Sequence, residues 1–356
     1  MADPRIEAAI SHWAPRYVEN GVPVGDFLEV TGSIDSWDEW CSAWSACGAI
    51  HEAEGDRALS QGRTRSAAVH FNTAAVCYHF GKFLFTHDLV QMKAAHQGAI
   101  RAHRKAHPLF AEPVERLEIP FGDGPPLVGN LRKPIGIENP PIVLMMPGLD
   151  SAKEELSTNE QFYLDRGMAT FTMDGPGQGE SEFDYPITPT YEVAAAAAID
   201  VLEARDDLDT DRLGAWGVSM GGFYVVRAAC FEKRIKALVS LSGPFRVVDS
   251  WDILPPMSLE TWRVRTHSET LDEAYPKAEL LDLTEVIHQV TCPAYIMGGD
   301  QDRIVPPAAA REMAEGITGP VTLNIIKGGN HVASNKAYLY RHDAADWMAR
   351  QLGARG

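Results

Sequence analysis

The chain has 356 residues, of which 45% are apolar and 23% charged, a composition typical of a globular protein with a sizeable core and not of a disordered chain. It carries 49 acidic side chains against 32 Lys and Arg side chains, so its formal net charge at pH 7 is −17. A chain this acidic repels phosphate backbones and anionic lipid surfaces. We therefore expect it to bind neither nucleic acid nor membranes.

The N-terminal part of the chain predicts helices. Ser36 and Glu39 are spaced as a capping box, in which the two side chains satisfy each other's backbone N–H groups at the start of a helix. Trp37, Trp40 and Trp44 recur at helical spacing and form one apolar stripe. This stripe predicts packing against neighbouring helices or against the sheet of the later domain, with stacking on an aromatic substrate as the alternative.

Two further helices are predicted before residue 110, one from about Thr64 to Leu84 and one from about Asp88 to His107, ahead of a proline. On the second of them, His103 and His107 lie four residues apart and could share a metal ion. A solvated helix face is the more common meaning of this spacing and is our prediction.

After residue 113, strand-like runs alternate with helical segments. The predicted strands are Val114–Pro120, Leu127–Lys133, Ile142–Met146, Ala169–Met173, Leu213–Val218, Ile235–Leu241, Ala294–Met297 and Val321–Ile326. The first two flank a Gly-Asp-Gly turn and predict a hairpin. The alternation of the others with helices predicts the α/β class, with a mostly parallel sheet flanked by helices on both faces.

The alternation is interrupted between about residues 249 and 289, where the sequence predicts a short helical insertion. A last helix is predicted from about Lys336 to Leu352. We therefore predict two domains. The first, residues 1–112, is all-helical, and the second, residues 113–356, is the α/β domain; that the first domain forms a lid is a hypothesis.

The clearest chemical signal is the G-x-S-x-G pentapeptide at residues 217–221, centred on Ser219. It follows a predicted strand and precedes a predicted helix, which is the strand–elbow–helix arrangement of a nucleophilic serine. The flanking glycines allow a sharp turn that lifts the Ser219 hydroxyl above the sheet, beside a helix N-terminus. An ordinary strand-to-helix turn is the alternative interpretation.

A serine hydroxyl needs a base and an acid that orients this base. Asp302 follows the strand that ends at Met297, and His331 follows the strand that ends at Ile326. The order Ser, Asp, His is that of α/β-hydrolases. Asp300 competes for the role of the acid, but the tail after Asp302 resembles the acid loop of these enzymes. We therefore predict Ser219, Asp302 and His331 as catalytic residues.

Two backbone N–H groups are expected to form an oxyanion hole. One is that of Met220, directly after the nucleophile, and the other is that of Leu149, in the loop after the strand Ile142–Met146. The glycine-rich segment 174–181 superficially matches a dinucleotide-binding fingerprint, but a proline interrupts it and no apolar helix follows. We therefore expect no nucleotide cofactor and interpret the segment as structural.

The five cysteines are an odd number without a CxxC pair, which predicts reduced thiols. Neither HExxH nor a phosphate-binding loop occurs, so we expect neither a metal nor a cofactor. The N-terminus lacks the features of a signal peptide, and no apolar run is long enough to span a bilayer. These observations predict a soluble cytoplasmic protein.

The run at residues 148–155, the loop at 174–181, the elbow at Ser219 and the helical segment before the sheet together resemble one group of α/β-hydrolases. These are 2,6-dihydroxypseudooxynicotine hydrolase and related carbon–carbon bond hydrolases with an N-terminal helical domain. The resemblance implies the α/β-hydrolase fold and a Ser219–Asp302–His331 triad. It further implies N-terminal helices that help to form the substrate pocket.

The resemblance also implies a reaction. The expected function is the serine-dependent cleavage of a carbon–carbon bond in a small aromatic ketone or β-diketone, through an acyl-enzyme. A carboxylesterase or amidase would use the same residues and is the alternative. A non-catalytic ligand-binding protein on the hydrolase fold is a third possibility that an intact triad disfavours. By analogy, we also expect a homodimer.

Overall fold

The computed structural model describes residues 3–354, which form two compact units. The first unit extends to Glu115 and includes the segment Glu154–Thr158. The second unit contains Arg116–Lys153 and the chain from Asn159 onward. The sheet, apart from its first residue Glu115, and every residue predicted to be catalytic belong to the second unit.

The first unit is helical, as predicted. Its helices are α1 (Pro4–Glu19), α2 (Val24–Gly32), α3 (Trp40–Ser60), α4 (Thr64–Lys82) and α5 (Leu89–Ala106). The predicted capping box is confirmed, and it starts a 3₁₀ turn that leads into α3. Asp88 caps α5 by accepting hydrogen bonds from two backbone N–H groups of its first turn.

An aromatic core holds this unit together. Trp37, Trp40 and Trp44 are each at most 2% exposed. Trp37 stacks on Trp40 with ring centroids 4.8 Å apart, and Tyr17 of α1 stacks on Phe80 of α4 at 3.9 Å. The indole N–H of Trp40 donates to the Phe80 carbonyl at 3.0 Å, so its one polar atom is satisfied. The predicted core packing of the tryptophan stripe is thereby confirmed.

The predicted solvated face at His103 and His107 is wrong. Both side chains are buried, because this face of α5 packs inside the unit. His107 Nε2 lies 3.1 Å from His103 Nδ1, and His103 Nε2 lies 3.1 Å from the Ser157 hydroxyl. The spacing alone could not distinguish a buried hydrogen-bonded pair from two solvated rings.

The second unit contains one eight-stranded sheet. Its strands are β1 (Glu115–Ile119), β2 (Leu127–Arg132), β3 (Pro141–Met146), β4 (Ala169–Asp174), β5 (Asp209–Val218), β6 (Ile235–Leu241), β7 (Ala294–Gly299) and β8 (Val321–Ile326). They lie in the order β1-β2-β4-β3-β5-β6-β7-β8. β2 pairs antiparallel with β4, and β3 to β8 are all parallel. The predicted mostly parallel sheet is therefore confirmed.

The burial of the strands explains how clearly the sequence indicates each of them. Every residue of β3, β4 and β7 is buried, as is typical of central parallel strands, and β3 reads as a continuous apolar run. β5 begins at Asp209, four positions before its predicted start at Leu213. Residues 209–212 are polar and not buried, so they carry no apolar signal.

The helices of the sheet region are α6 (Ser157–Leu164), α7 (Tyr191–Glu203), α8 (Met220–Phe231), α9 (Pro256–Arg265), α10 (Leu271–Glu279), α11 (Pro307–Gly316) and α12 (Arg341–Leu352). α9 and α10 lie between β6 and β7 and form the predicted insertion. The predicted start of the last helix at Lys336 is wrong. The backbone between His331 and Leu339 is irregular, with φ of 60° at Val332 and 49° at Ala333, so α12 begins only at Arg341.

Among the residues described, 3–354, there is no helix long and apolar enough to cross a membrane. All five cysteines are free thiols.

Candidate active site

Ser219 occupies a sharp elbow between β5, which ends at Val218, and α8, which begins at Met220. Its φ of 55° and ψ of −122° are rare for a residue with a side chain. Glycines make the elbow possible. A Cβ at Gly217 would lie 2.0 Å from the Gly221 carbonyl oxygen, so only glycine fits the turn. Backbone strain of this kind is characteristic of functional sites.

The structure brings the three predicted catalytic residues together. His331 Nε2 lies 2.9 Å from the Ser219 hydroxyl oxygen. On the other side of the ring, His331 Nδ1 lies 2.8 Å from Asp302 Oδ2 and 3.1 Å from Oδ1. Asp302 and His331 are buried, whereas Ser219 is partly exposed. The result is a continuous chain of hydrogen bonds from a carboxylate through an imidazole to a hydroxyl.

The loops after β7 and β8 fix the two partners of Ser219. Asp302 Oδ1 accepts hydrogen bonds from the backbone N–H groups of Ile304 and Val305, both at 2.9 Å, which hold the carboxylate towards His331. Asp300, the competing candidate, is exposed and accepts from the Gly328 N–H at 2.5 Å. It therefore joins the two loops and does not contact the histidine ring.

The predicted oxyanion donors flank the elbow. A Cβ at Gly148 would lie 3.3 Å from Ser219 Cβ, so the loop after β3 passes in van der Waals contact with the serine. Across residues 3–354, no protein acceptor takes the N–H of Leu149, the next residue of this loop. Met220 is the first residue of α8, where a helix leaves its N–H groups without intrahelical partners. Both N–H groups are thus available to a ligand oxygen.

Gln178 holds the loop that carries Leu149, and sequence reasoning missed this role. Its amide Nε2 donates to the carbonyl oxygens of Pro147, at 2.5 Å, and Gly148, at 3.1 Å. Its Oε1 accepts from the Gly175 N–H at 3.1 Å and the Tyr191 hydroxyl at 2.8 Å. This fully buried side chain therefore joins the loop after β3 to the loop after β4. The only signal in the sequence was its place inside the glycine-rich segment.

A buried ion-pair network fixes the same two loops. Lys153 Nζ lies 2.8 Å from Asp174 Oδ2 and 2.6 Å from Glu180 Oε1, and the Lys153 N–H donates to Asp174 Oδ1 at 2.9 Å. Arg116 also pairs with Glu180. Burial alone would raise the pKa of Glu180, but Lys153 and Arg116 lower it to about 2. Glu180 is therefore charged at neutral pH.

The geometry places a hydroxyl in contact with an imidazole, a buried carboxylate on the other side of this imidazole, and two N–H groups in the segments next to the elbow. These are the components of nucleophilic attack on a carbonyl carbon. A group of side chains that could hold a metal ion lies in the first unit and is considered separately below.

Comparison with known proteins gives consistent matches. The Esterase FrsA-like family matches residues 31–272. A 2,6-dihydropseudooxynicotine hydrolase from Paenarthrobacter nicotinovorans is 33% identical over 348 residues, covering 96% of this chain and 92% of that protein. A 20-hydroxy-prefusarin hydrolase from Gibberella moniliformis is 30% identical, covering 63% of this chain and 57% of that protein.

Solved structures give the same result. The crystal structure of a 2,6-dihydroxy-pseudo-oxynicotine hydrolase matches with a TM-score of 0.88 and 31% identity, covering 96% of this chain and 97% of the other. The predicted α/β-hydrolase fold with an N-terminal helical region is thereby confirmed.

Proposed function

Because this chain belongs to the FrsA-like esterase family of α/β-hydrolases and is a hydrolase, we propose that Ser219, His331 and Asp302 are its catalytic triad. The observation that carries the proposal is the chain of hydrogen bonds from Asp302 through His331 to Ser219, with distances of 2.8 and 2.9 Å. Three residues separated along the chain meet at these distances in the order of roles that acyl transfer requires.

In this mechanism the Ser219 hydroxyl attacks the carbonyl carbon of the substrate while His331 Nε2 accepts its proton. Asp302 keeps His331 Nδ1 protonated and stabilises the imidazolium that forms. The N–H groups of Leu149 and Met220 stabilise the negative charge that develops on the carbonyl oxygen. Removing one such donor typically costs about 3–4 kcal/mol of transition-state stabilisation.

We propose that the scissile bond is the carbon–carbon bond of an aromatic ketone or β-diketone. The leaving group is then a carbanion, stabilised as the enolate of a second carbonyl or by an electron-rich ring, and it takes up the proton held by His331. Water, activated by the same histidine, then hydrolyses the acyl-enzyme. The resemblance to carbon–carbon hydrolases supports this proposal, as does the similarity to a pseudooxynicotine hydrolase over 96% of the chain.

The test compares an aryl β-diketone with an aryl ester of matched size, with the Ser219→Ala variant as the control. We expect serine-dependent cleavage with the higher kcat/KM on the diketone. Chromatography would measure the carboxylic acid and the ketone formed from the diketone, and the acid and the alcohol formed from the ester. Turnover of the ester alone would contradict carbon–carbon cleavage.

The second candidate is a carboxylesterase or amidase, and the description of the matching family as an esterase family favours it. The same triad would act, but the leaving group would be an alcohol or an amine. Hydrolysis of the matched ester together with an inert diketone would support this function.

Gln178 provides a test of the oxyanion loop. Gln178→Glu keeps both acceptor contacts but places a carboxylate against the carbonyl oxygens of Pro147 and Gly148, so the loop and the Leu149 N–H should shift. We expect kcat to fall about 10²-fold, the size of effect seen when one oxyanion donor is lost. KM should change little, because the interaction forms in the transition state.

The matched control for Gln178→Glu is Tyr191→Phe, which removes one hydrogen bond to Gln178 Oε1 and leaves both contacts to the loop. Its kcat should stay within about tenfold of wild type, because a single lost neutral hydrogen bond is worth about 1 kcal/mol. A Gln178→Glu variant that is folded and has wild-type kcat would refute the positioning role.

Three further assignments are our proposals. Residues 1–112 form a lid or substrate-pocket domain, and residues 113–356 form the catalytic domain. The protein acts on a small aromatic carbonyl compound as a homodimer. It works in the cytoplasm, a compartment with which five free thiols are consistent.

A further inference from the structure

Four side chains of the first unit with the donor atoms of a metal site meet where three helices pack. They are Asp26 of α2, Cys47 and His51 of α3, and Cys77 of α4, here called the Cys2HisAsp cluster. One potential ligand atom from each lies within 4.8 Å of the others. Cys77 is buried and the other three are partly exposed, so a cation can reach the cluster from solvent.

The distances within the cluster suit one tetrahedral ion. The sulfur atoms of Cys47 and Cys77 lie 3.7 Å apart. Two thiolates bound to one zinc ion at about 2.3 Å each lie about 3.8 Å apart in a tetrahedral site. His51 Nε2 lies 2.7 Å from Asp26 Oδ2, a hydrogen bond that would open to about 3.4 Å when both atoms bind the ion. Two sulfurs, one imidazole and one carboxylate form a donor set that favours Zn²⁺ over Mg²⁺ or Ca²⁺.

We propose that the Cys2HisAsp cluster binds one Zn²⁺ ion that links α2, α3 and α4. Four protein ligands complete the tetrahedron and leave no position for substrate, so the ion has a structural role. The site is separate from the hydrolytic chemistry of Ser219. Zinc takes the two sulfurs as thiolates, and the thiol protons are released to solvent on binding.

The surroundings of the cluster support the proposal. Cys47 and His51 are four residues apart and share one face of α3. Gly48, between them in sequence, lets α4 approach, because a Cβ there would meet the Tyr78 ring at 3.0 Å.

A second histidine is placed as an outer partner. His51 directs Nε2 towards Asp26, and its Nδ1 lies 3.4 Å from His70 Nδ1. A zinc-bound histidine typically gives its second ring N–H to such an acceptor, which fixes its tautomer. Loss of this partner typically lowers metal affinity about 10–100-fold, so His70 offers a graded test.

The experiment measures metal content of the full-length, reduced protein. After purification from zinc-supplemented cells and dialysis, we expect about one zinc ion per chain by elemental analysis. Substitution with Co²⁺ should give thiolate-to-cobalt charge-transfer absorption in the near ultraviolet and the strong visible bands of a tetrahedral site. These readouts do not depend on hydrolase activity.

Variants locate the ion. His51→Ala and Cys47→Ser should lower zinc affinity at least about 100-fold, because losing a ligand costs more than losing an outer partner. His70→Ala should have a smaller effect. Cys41→Ser, which removes a buried thiol of α3 outside the cluster, should keep full zinc binding. Circular dichroism checks that each variant is folded. If the cysteine variant does not fold, His51→Ala, at a partly exposed position, still tests the site.

Three outcomes would overturn the proposal. The reduced wild-type protein could take up neither zinc nor cobalt. The His51→Ala and Cys47→Ser variants could retain the ion, which would place it elsewhere. Mass spectrometry could find a disulfide between Cys47 and Cys77, and the protein could still bind no metal after this disulfide is reduced. The two cysteines would then be a redox-active thiol pair.

Discussion

Ser219→Ala is expected to lose hydrolysis almost completely, with kcat lowered about 10⁶-fold, the size of effect seen when the nucleophile of a serine triad is removed in other enzymes. The reason is that alanine leaves His331 with no hydroxyl to deprotonate, so no acyl-enzyme can form. The remaining activity would come from the oxyanion donors and substrate binding alone. Steady-state kinetics on the better of the two substrates, the diketone or the ester, measures the loss.

Covalent labelling separates loss of the nucleophile from loss of the fold. A fluorophosphonate probe should modify the wild-type protein at one serine, and peptide mapping should identify Ser219. Ser60→Ala, on the exposed surface of α3, should label and turn over like wild type. Retained turnover in a folded Ser219→Ala protein, or labelling at another serine, would show that the elbow is not the nucleophile.

The sequence predicted the central strands well because β3, β4 and β7 are buried throughout and β3 reads as an uninterrupted apolar run. It predicted the positions of Ser219, Asp302 and His331 because each stands in a loop directly after a predicted strand. The carboxyl ends of neighbouring parallel strands meet at one edge of a sheet. β5, β6, β7 and β8 are consecutive neighbours in the sheet, which brings these three loops together.

The remaining features depend on contacts between distant segments, and a single sequence does not show these. Gln178 matters because the carbonyl oxygens of Pro147 and Gly148 lie beside it, and no spacing rule connects them. The Cys2HisAsp cluster draws its donors from three helices. Only Cys47 and His51 are close in sequence, four residues apart. This spacing of a cysteine and a histidine occurs on many helices that bind no metal.

Glu155 produces the largest stability effect that we expect. It is 1% exposed inside the first unit, where Arg16 binds both of its carboxylate oxygens at 2.7 Å. Asn20 Nδ2 donates to it at 2.7 Å, and His79 Nε2 lies 2.9 Å away. Burial lowers the pKa of His79, so at neutral pH the cation that balances Glu155 is Arg16.

Glu155→Gln keeps the shape of the side chain but leaves Arg16 without its counter-ion. Breaking a buried ion pair from one side typically costs about 3–5 kcal/mol, and we expect the free energy of unfolding to fall by this amount. Denaturation in urea at pH 7 measures it. The control is Glu54→Gln, which breaks a solvent-exposed pair with Arg57 on α3 and should leave stability unchanged.

The effect of Glu155→Gln on stability should depend on pH. Burial alone would raise the pKa of Glu155, but the Arg16 guanidinium holds it well below its usual value of 4.5. A carboxyl group whose pKa is lower in the folded chain stabilises the fold above its unfolded pKa, and this contribution is lost as the pH falls towards the folded value. The stability difference between wild type and Glu155→Gln should therefore be constant from pH 7 to about 5 and shrink below that. A difference that is absent at pH 7, or that grows as the pH falls, would contradict a charged and paired Glu155.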